Sequence, residues 1–208
     1  KKCDVYYLLE LAPHSLKSTA LNIEKQPTDC SVLTASLYPE LERHYQFIPK
    51  DKFLIINRTK RKSYAWSNVL MQKKIKNFIE HINPDMIHCS SFLFINYFNI
   101  LLKYKNKMVL TVHDPFPHVG ESSLRKNTIR ILNYLFVKNI VLLNTNQHAA
   151  FISKTKKYKF KNVHISSLGI YEYLKDYKVK VNESEKTSLL FFGRISPYTG
   201  IDVLLEAF

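Results

Sequence analysis

Glycine is scarce in this chain, with four in 208 residues. No glycine-rich phosphate loop of the G-x-G-x-x-G or Walker A type is present, and neither is an HExxH metalloprotease helix or a G-x-S-x-G nucleophile elbow. Cysteine is also scarce. Cys3, Cys30 and Cys89 are odd in number and widely spaced. None forms a C-x-x-C pair or lies at zinc spacing from a histidine, so they read as reduced thiols of a cytosolic protein, with no metal site and no disulfide framework. No apolar run reaches about 18 residues, so no transmembrane helix is expected. Lys1-Lys2-Cys3-Asp4 lacks a signal-peptide apolar region. Acidic residues are few, 17 against 31 basic ones. No internal repeat or low-complexity segment breaks the chain.

What is present supports a folded domain. Hydrophobic residues make up 46% and aromatics 13%, ample for a core and against global disorder. The net charge of +14 attracts phosphorylated ligands, an anionic membrane or nucleic acid. A bland cause competes: Lys, Asn, Ile, Tyr and Phe are abundant and Gly and Ala scarce, as an AT-rich coding sequence would give. The densest basic cluster, Lys154-Thr155-Lys156-Lys157-Tyr158-Lys159-Phe160-Lys161, has no nucleic-acid module beside it, and no nucleic-acid partner is expected.

Along the chain, Asp4–Leu11, Ser31–Ala35 and Phe53–Ile56 read as strands, with Pro39 and Pro49 marking irregular structure between them. Ser63 is a candidate N-cap for a helix with Met71, Ile75, Phe78, Ile79 and Ile82 on its apolar face, stopped by Asn83-Pro84-Asp85. Met86–Cys89 reads as a short strand and Phe92–Leu102 as a buried helix. Lys107–Asp114 is a strong strand ending in two titratable groups. Ser122 or Ser123 caps a helix whose expected core face is Leu124, Thr128, Ile131, Leu132, Leu135 and Phe136. Asn139–Asn144 is a strand, Thr145–His148 starts a short helix, and Asn162–Ser166 is a further strand.

Residues 171–187 are polar, without clear period, and suit a linker. Ser188–Phe192 then reads as a buried strand, Gly193-Arg194 as its end, and Ile201 onward as a helix with Ile201, Leu204, Leu205 and Phe208 on one face. Strands alternating with helices predict an α/β fold with a mainly parallel sheet and helices on both faces. The expected division is a domain over 1–170, the linker, and the start of a second α/β domain over 188–208.

In such sheets ligands bind at the carboxyl ends of strands. That selects His113-Asp114, Asn144-Thr145 and Gly193-Arg194 as candidates. A strand-end histidine can hydrogen-bond a hydroxyl or stabilise developing charge, and it can equally be a structural hydrogen-bonder. Asp114 can brace the Pro-containing loop that follows. Arg194 suits phosphate oxygens at a helix N-terminus.

The ordered segments VLTVHDPFPHVG and SLLFFGRISPYTGIDVLLEAF resemble glycosyltransferase family 4, a group of GT-B enzymes. The resemblance is strongest over Val109–Gly120 and Leu189–Phe208. It implies two Rossmann-like domains facing across a cleft, with the acceptor on the N-terminal one and a nucleotide-sugar on the C-terminal one. It implies retaining transfer without metal or cofactor, to a glycan or lipid-linked acceptor in bacterial surface polysaccharide synthesis. The implied place is cytoplasmic, peripheral at the inner face of the plasma membrane. By the resemblance, His113 and Asp114 are the catalytic candidates, and His118 and Gly120 the acceptor-side ones. Gly193, Arg194, Thr199 and Gly200 are the donor-binding ones.

Thr199 stands where the family usually carries Lys, so one cation for the leaving diphosphate is replaced by a hydroxyl. The loop after the first strand, Ala12-Pro13-His14-Ser15, lacks the family's glycines. The family's paired glutamates would lie beyond Phe208, so these 208 residues are expected to be inactive alone. Two other readings share the evidence: a GT-B sugar-nucleotide epimerase, and a basic membrane- or anion-binding module without catalysis.

Overall fold

The computed structural model describes residues 3–13, 23–24, 31–60, 62, 65–118, 123–158, 160, 162–169 and 199–207. The chain divides into two compact units, Lys1–Val109 and Leu110–Phe208. The fold is α/β. One sheet contains β1 (Tyr7–Leu11), β3 (Phe53–Asn57) and β2 (Ser31–Thr34), in the order β1-β3-β2. The other is a four-stranded parallel sheet flanked by helices, in the order β4 (Ile87–Cys89), β5 (Met108–Val112), β6 (Asn139–Leu142), β7 (Asn162–Ile165). The boundary between the units falls inside β5.

In the first unit, β3 is buried at all five positions. Its unbroken apolar run Phe53-Leu54-Ile55-Ile56 is what a central strand covered on both faces requires. β1 lies parallel to β3, with Tyr7 opposite Phe53 and Leu11 opposite Asn57. β2 runs antiparallel to β3, with Ser31 opposite Asn57 and Thr34 opposite Leu54. The antiparallel β2 departs from the expected parallel arrangement at one strand. A parallel return needs a crossover of a dozen or more residues, usually a helix. The chain between β2 and β3 instead forms only short 3-10 turns, Ala35–Leu37, Pro39–His44 and Lys50–Lys52, and turns straight back. Those turns close a core of Leu11, Ile23, Ala35, Tyr38, Leu41, Phe53 and Ile55.

Helix α1 (Trp66–Ile82) buries Met71, Ile75 and Ile79 as its periodicity predicts. Ser63 lies outside the described residues, and the N-cap is Ala65, which supplies no side-chain bond. The entry is held by buried Asn68, whose Nδ2 donates to the carbonyls of Lys60 (2.9 Å) and Lys62 (2.8 Å). At the far end Asn83 takes the left-handed conformation (φ 45°) ahead of Pro84, a helix stop of the expected kind. Lys107 donates to the Pro84 carbonyl (2.9 Å) and ties that stop to the start of β5.

The expected helix Phe92–Leu102 begins later and runs past its end. A 3-10 turn over Ile95–Tyr97 leads into α2 (Phe98–Tyr104). Asn96, Tyr97, Ile100 and Leu101 are buried, while Phe94, Ile95 and Leu102 are exposed. A polar contact selects that face: the Tyr97 hydroxyl donates to Glu10 Oε2 at the end of β1. Glu10 Oε1 in turn pairs with buried Arg58 at 3.1 Å.

In the second unit, Ser123 caps α3 (Leu124–Phe136), accepting from the Lys126 amide at 3.2 Å. The expected core face is not the buried one. Leu124, Ile131 and Leu135 face solvent, and Asn133 and Tyr134 are inside. Tyr134 explains the rotation. Its ring meets Phe151 of α4 (His148–Thr155) edge-on at 5.6 Å and Phe160 at 5.6 Å, and Phe151 and Phe160 stack at 5.7 Å. Burying that aromatic cluster outweighs the aliphatic stripe. Asn133 is tolerated inside because its Nδ2 donates to the Ile129 carbonyl at 2.8 Å.

Helix α5 (Ile201–Glu206) starts after Gly200, which has φ +66°. Its expected core face is also open: Leu204 and Leu205 are exposed, and Phe208 lies outside the described residues. The expected linker and the strand Ser188–Phe192 lie outside them too.

Candidate functional site

Two of the three strand ends singled out from sequence border one pocket in the second unit. The ends are held level by backbone bonds: the Leu143 amide donates to the Val112 carbonyl (3.1 Å), and the Ser166 amide to that of Leu142 (2.9 Å). Beyond them lies an open cavity of about 470 Å³ lined by His113, Asp114, Leu143, Asn144, Thr145, Asn146 and Leu168. His113 and Asp114 leave the end of β5, where Thr111 and Val112 are buried and anchor them. Asn144 follows β6. Its Oδ1 accepts from the Gln147 amide (3.3 Å), which organises the 3-10 turn Thr145–Gln147 on the pocket wall. The third end, Gly193-Arg194, lies outside the described residues, as does Gly120.

The loop after β5 is fastened at two points. His118 Nε2 lies 3.4 Å from Asp114 Oδ2, four residues back across Pro115-Phe116-Pro117. Lys154 of α4 sits over the Phe116 ring, 4.4 Å from its centre. The prolines restrict the loop backbone, so the carboxylate and the imidazole meet at little further entropic cost. A carboxylate beside an imidazole orients the ring, the pairing used in general acid–base chemistry. His113 adds a second imidazole at the same strand end.

The described lining sets a carboxylate, an imidazole, two carboxamides and a hydroxyl beside Leu143 and Leu168. These groups exchange hydrogen bonds with a ligand rich in hydroxyls. Among the described residues no lysine or arginine lines the pocket. Among the described residues no three histidine, cysteine or carboxylate side chains group as metal ligands. Sequence reasoning singled out His113, Asp114, Asn144, Thr145 and His118 but not the Asp114–His118 contact or the part of Asn146. The i,i+4 spacing across a Pro-x-Pro loop was the available signal for the first. Thr199 and Gly200 are described as the turn entering α5, with the Gly200 carbonyl accepting from the Leu204 amide (3.0 Å). In comparisons with known proteins, no family model, no curated protein and no solved structure matches this chain.

Proposed function

We propose that the chain is the acceptor-side part of a GT-B glycosyltransferase that moves a sugar from a nucleotide-sugar to a glycan or lipid-linked acceptor. The observation that carries this reading is the open polar pocket at the carboxyl ends of β5 and β6, with His113 and Asp114 at its rim. In an open α/β sheet that is where substrates sit. The family 4 resemblance of Val109–Gly120 supplies the substrate class. In this reading His113 hydrogen-bonds the transferring sugar, and Asp114 holds His118 toward the acceptor. Asn144 and Thr145 fix sugar hydroxyls, and Arg194 with Gly193, Thr199 and Gly200 holds the donor diphosphate.

The test is label transfer from UDP-, GDP- and dTDP-sugars by full-length protein carrying this chain, with membrane extract as acceptor. Transfer from one of them is expected. His113→Ala should lower turnover at least tenfold, since a positioned acid–base group contributes about a hundredfold or more. It should leave the thermal midpoint unchanged, because His113 is exposed. No label from any donor sinks the reading, and equal loss of stability and turnover would make His113 structural.

A further inference from the structure

The pocket differs in charge from the chain that forms it. Lysine and arginine outnumber acidic residues 31 to 17 along the sequence. The described lining of the pocket contains one carboxylate, that of Asp114, and no lysine or arginine. Lys154, a cation that reaches the loop after β5, lies over the Phe116 ring, 4.4 Å from its centre. Its charge is committed to an aromatic face and not to the pocket lining.

Asp114 is placed to act on a ligand. Its side chain is 52% exposed, and Oδ2 meets His118 Nε2 at 3.4 Å, which steadies the carboxylate at the rim. An ionised carboxylate only accepts hydrogen bonds. Sugar hydroxyls donate to it, whereas a ligand carboxylate has nothing to donate and is repelled. Two like charges about 5 Å apart disfavour binding about fourfold in water, and more strongly beside apolar walls. Leu143 and Leu168 are such walls. They suit the C–H face of a sugar ring and strip water from a charged group. Asn144 gives its Oδ1 to the Gln147 amide at 3.3 Å and keeps Nδ2 as a donor. With Thr145 and Asn146 it offers neutral hydrogen bonds, which do not neutralise an anion.

Resting on the acceptor-site reading, we propose that the pocket selects uncharged sugars over acidic ones, uronic acids and sugar phosphates, and that Asp114 sets this choice. The discrimination comes from a repulsive group built against the wrong ligand. The net charge of +14 draws anions to the chain as a whole. A preference for uncharged sugars therefore has to originate in the pocket.

The experiment titrates the isotopically labelled 208-residue chain with matched sugars that differ only in carrying a hydroxymethyl group or a carboxylate. The pairs are methyl glucoside with methyl glucuronide, and methyl galactoside with methyl galacturonide. The readout is the nuclear magnetic resonance shift of the Asn144, Thr145 and Asn146 amides, which distinguishes pocket binding from anions held by surface lysines. Low ionic strength keeps the carboxylate unscreened. The neutral sugar of at least one pair should move these signals, with an affinity at least fourfold above its acidic partner. Asp114→Asn removes the charge and keeps an oxygen for His118, so it should bring the two sugars of that pair to equal affinity. With Asp114 exposed, this variant should keep the wild-type thermal midpoint. Equal affinities in the wild type, tighter binding of the acidic sugar, or a preference that survives Asp114→Asn overturns the proposal. So does the absence of any shift at these amides. Selective binding in a protein that transfers no label would sink the glycosyltransferase reading alone. Transfer by a protein whose pocket prefers acidic sugars would sink the selectivity alone.

Discussion

Glu10 is the residue on which the end of the first sheet depends. Its two oxygens serve different partners, Arg58 at 3.1 Å and the Tyr97 hydroxyl. Arg58 and Tyr97 are buried, and Glu10 is only partly exposed. Removing one member of a buried ion pair leaves the other charge unsolvated, which costs about 3 kcal/mol or more. Glu10→Ala should therefore lower stability by about 3 kcal/mol in urea denaturation, and Glu10→Gln by less, since Gln retains an acceptor for Tyr97. Equal stabilities of wild type and Glu10→Ala would mean that the cluster carries no net stabilisation. None of this was legible in the sequence. Glu10 reads there as one polar residue in an apolar strand, and Tyr97 lies 87 positions away. His113 and Asp114 were legible, because a strand followed by Pro-x-Pro marks its own carboxyl end.

Elements were legible in existence and less so in orientation. The seven strands among the described residues lie where apolar runs predict them, and α1 buries Met71, Ile75 and Ile79 of its predicted face. The direction of β2 was hidden, since parallel and antiparallel strands share one periodicity and differ in what connects them. The rotation of α3 was hidden for another reason. Its aliphatic stripe spans more turns than the single Tyr134, and only the meeting with Phe151, Tyr158 and Phe160 decides the matter. Tyr134→Ala should cost about 3–5 kcal/mol, as large-to-small changes at buried aromatics do. Ile131→Ala, on the exposed stripe, should stay within about 0.5 kcal/mol. Chemical denaturation of the two variants distinguishes them, and the reverse ranking would put the aliphatic stripe back in the core.

At the scale of the whole molecule, buried weak acids set an alkaline limit. Desolvation pushes the Cys89 thiol from 9 to about 11. Desolvation also raises the Tyr97 phenol, with the Glu10 carboxylate adding to it, and desolvation raises Tyr134. Once unfolded, these groups release protons near pH 9 and 10; folded, they retain them. The unfolded chain then binds fewer protons, so stability is intact below about pH 9 and falls as pH rises toward about 11. Urea midpoints between about pH 8 and pH 10.5 should decline, and Cys89→Ala should flatten part of that slope. A midpoint independent of pH in this window would contradict the burial of these groups.

The aromatic cluster around Tyr134 also determines how the molecule reports on itself in light. The chain has one tryptophan, Trp66, 74% exposed at the start of α1 in the first unit. Its emission is already that of an indole in water, so unfolding gives it little new solvent to meet. The second unit, without an indole, packs Tyr134, Phe151, Tyr158 and Phe160 ring on ring. Immobilised tyrosines in an asymmetric setting give near-ultraviolet dichroism that vanishes when packing loosens. Tryptophan fluorescence is thus a weak witness to folding here, and the tyrosine dichroic bands follow the unit that carries the pocket.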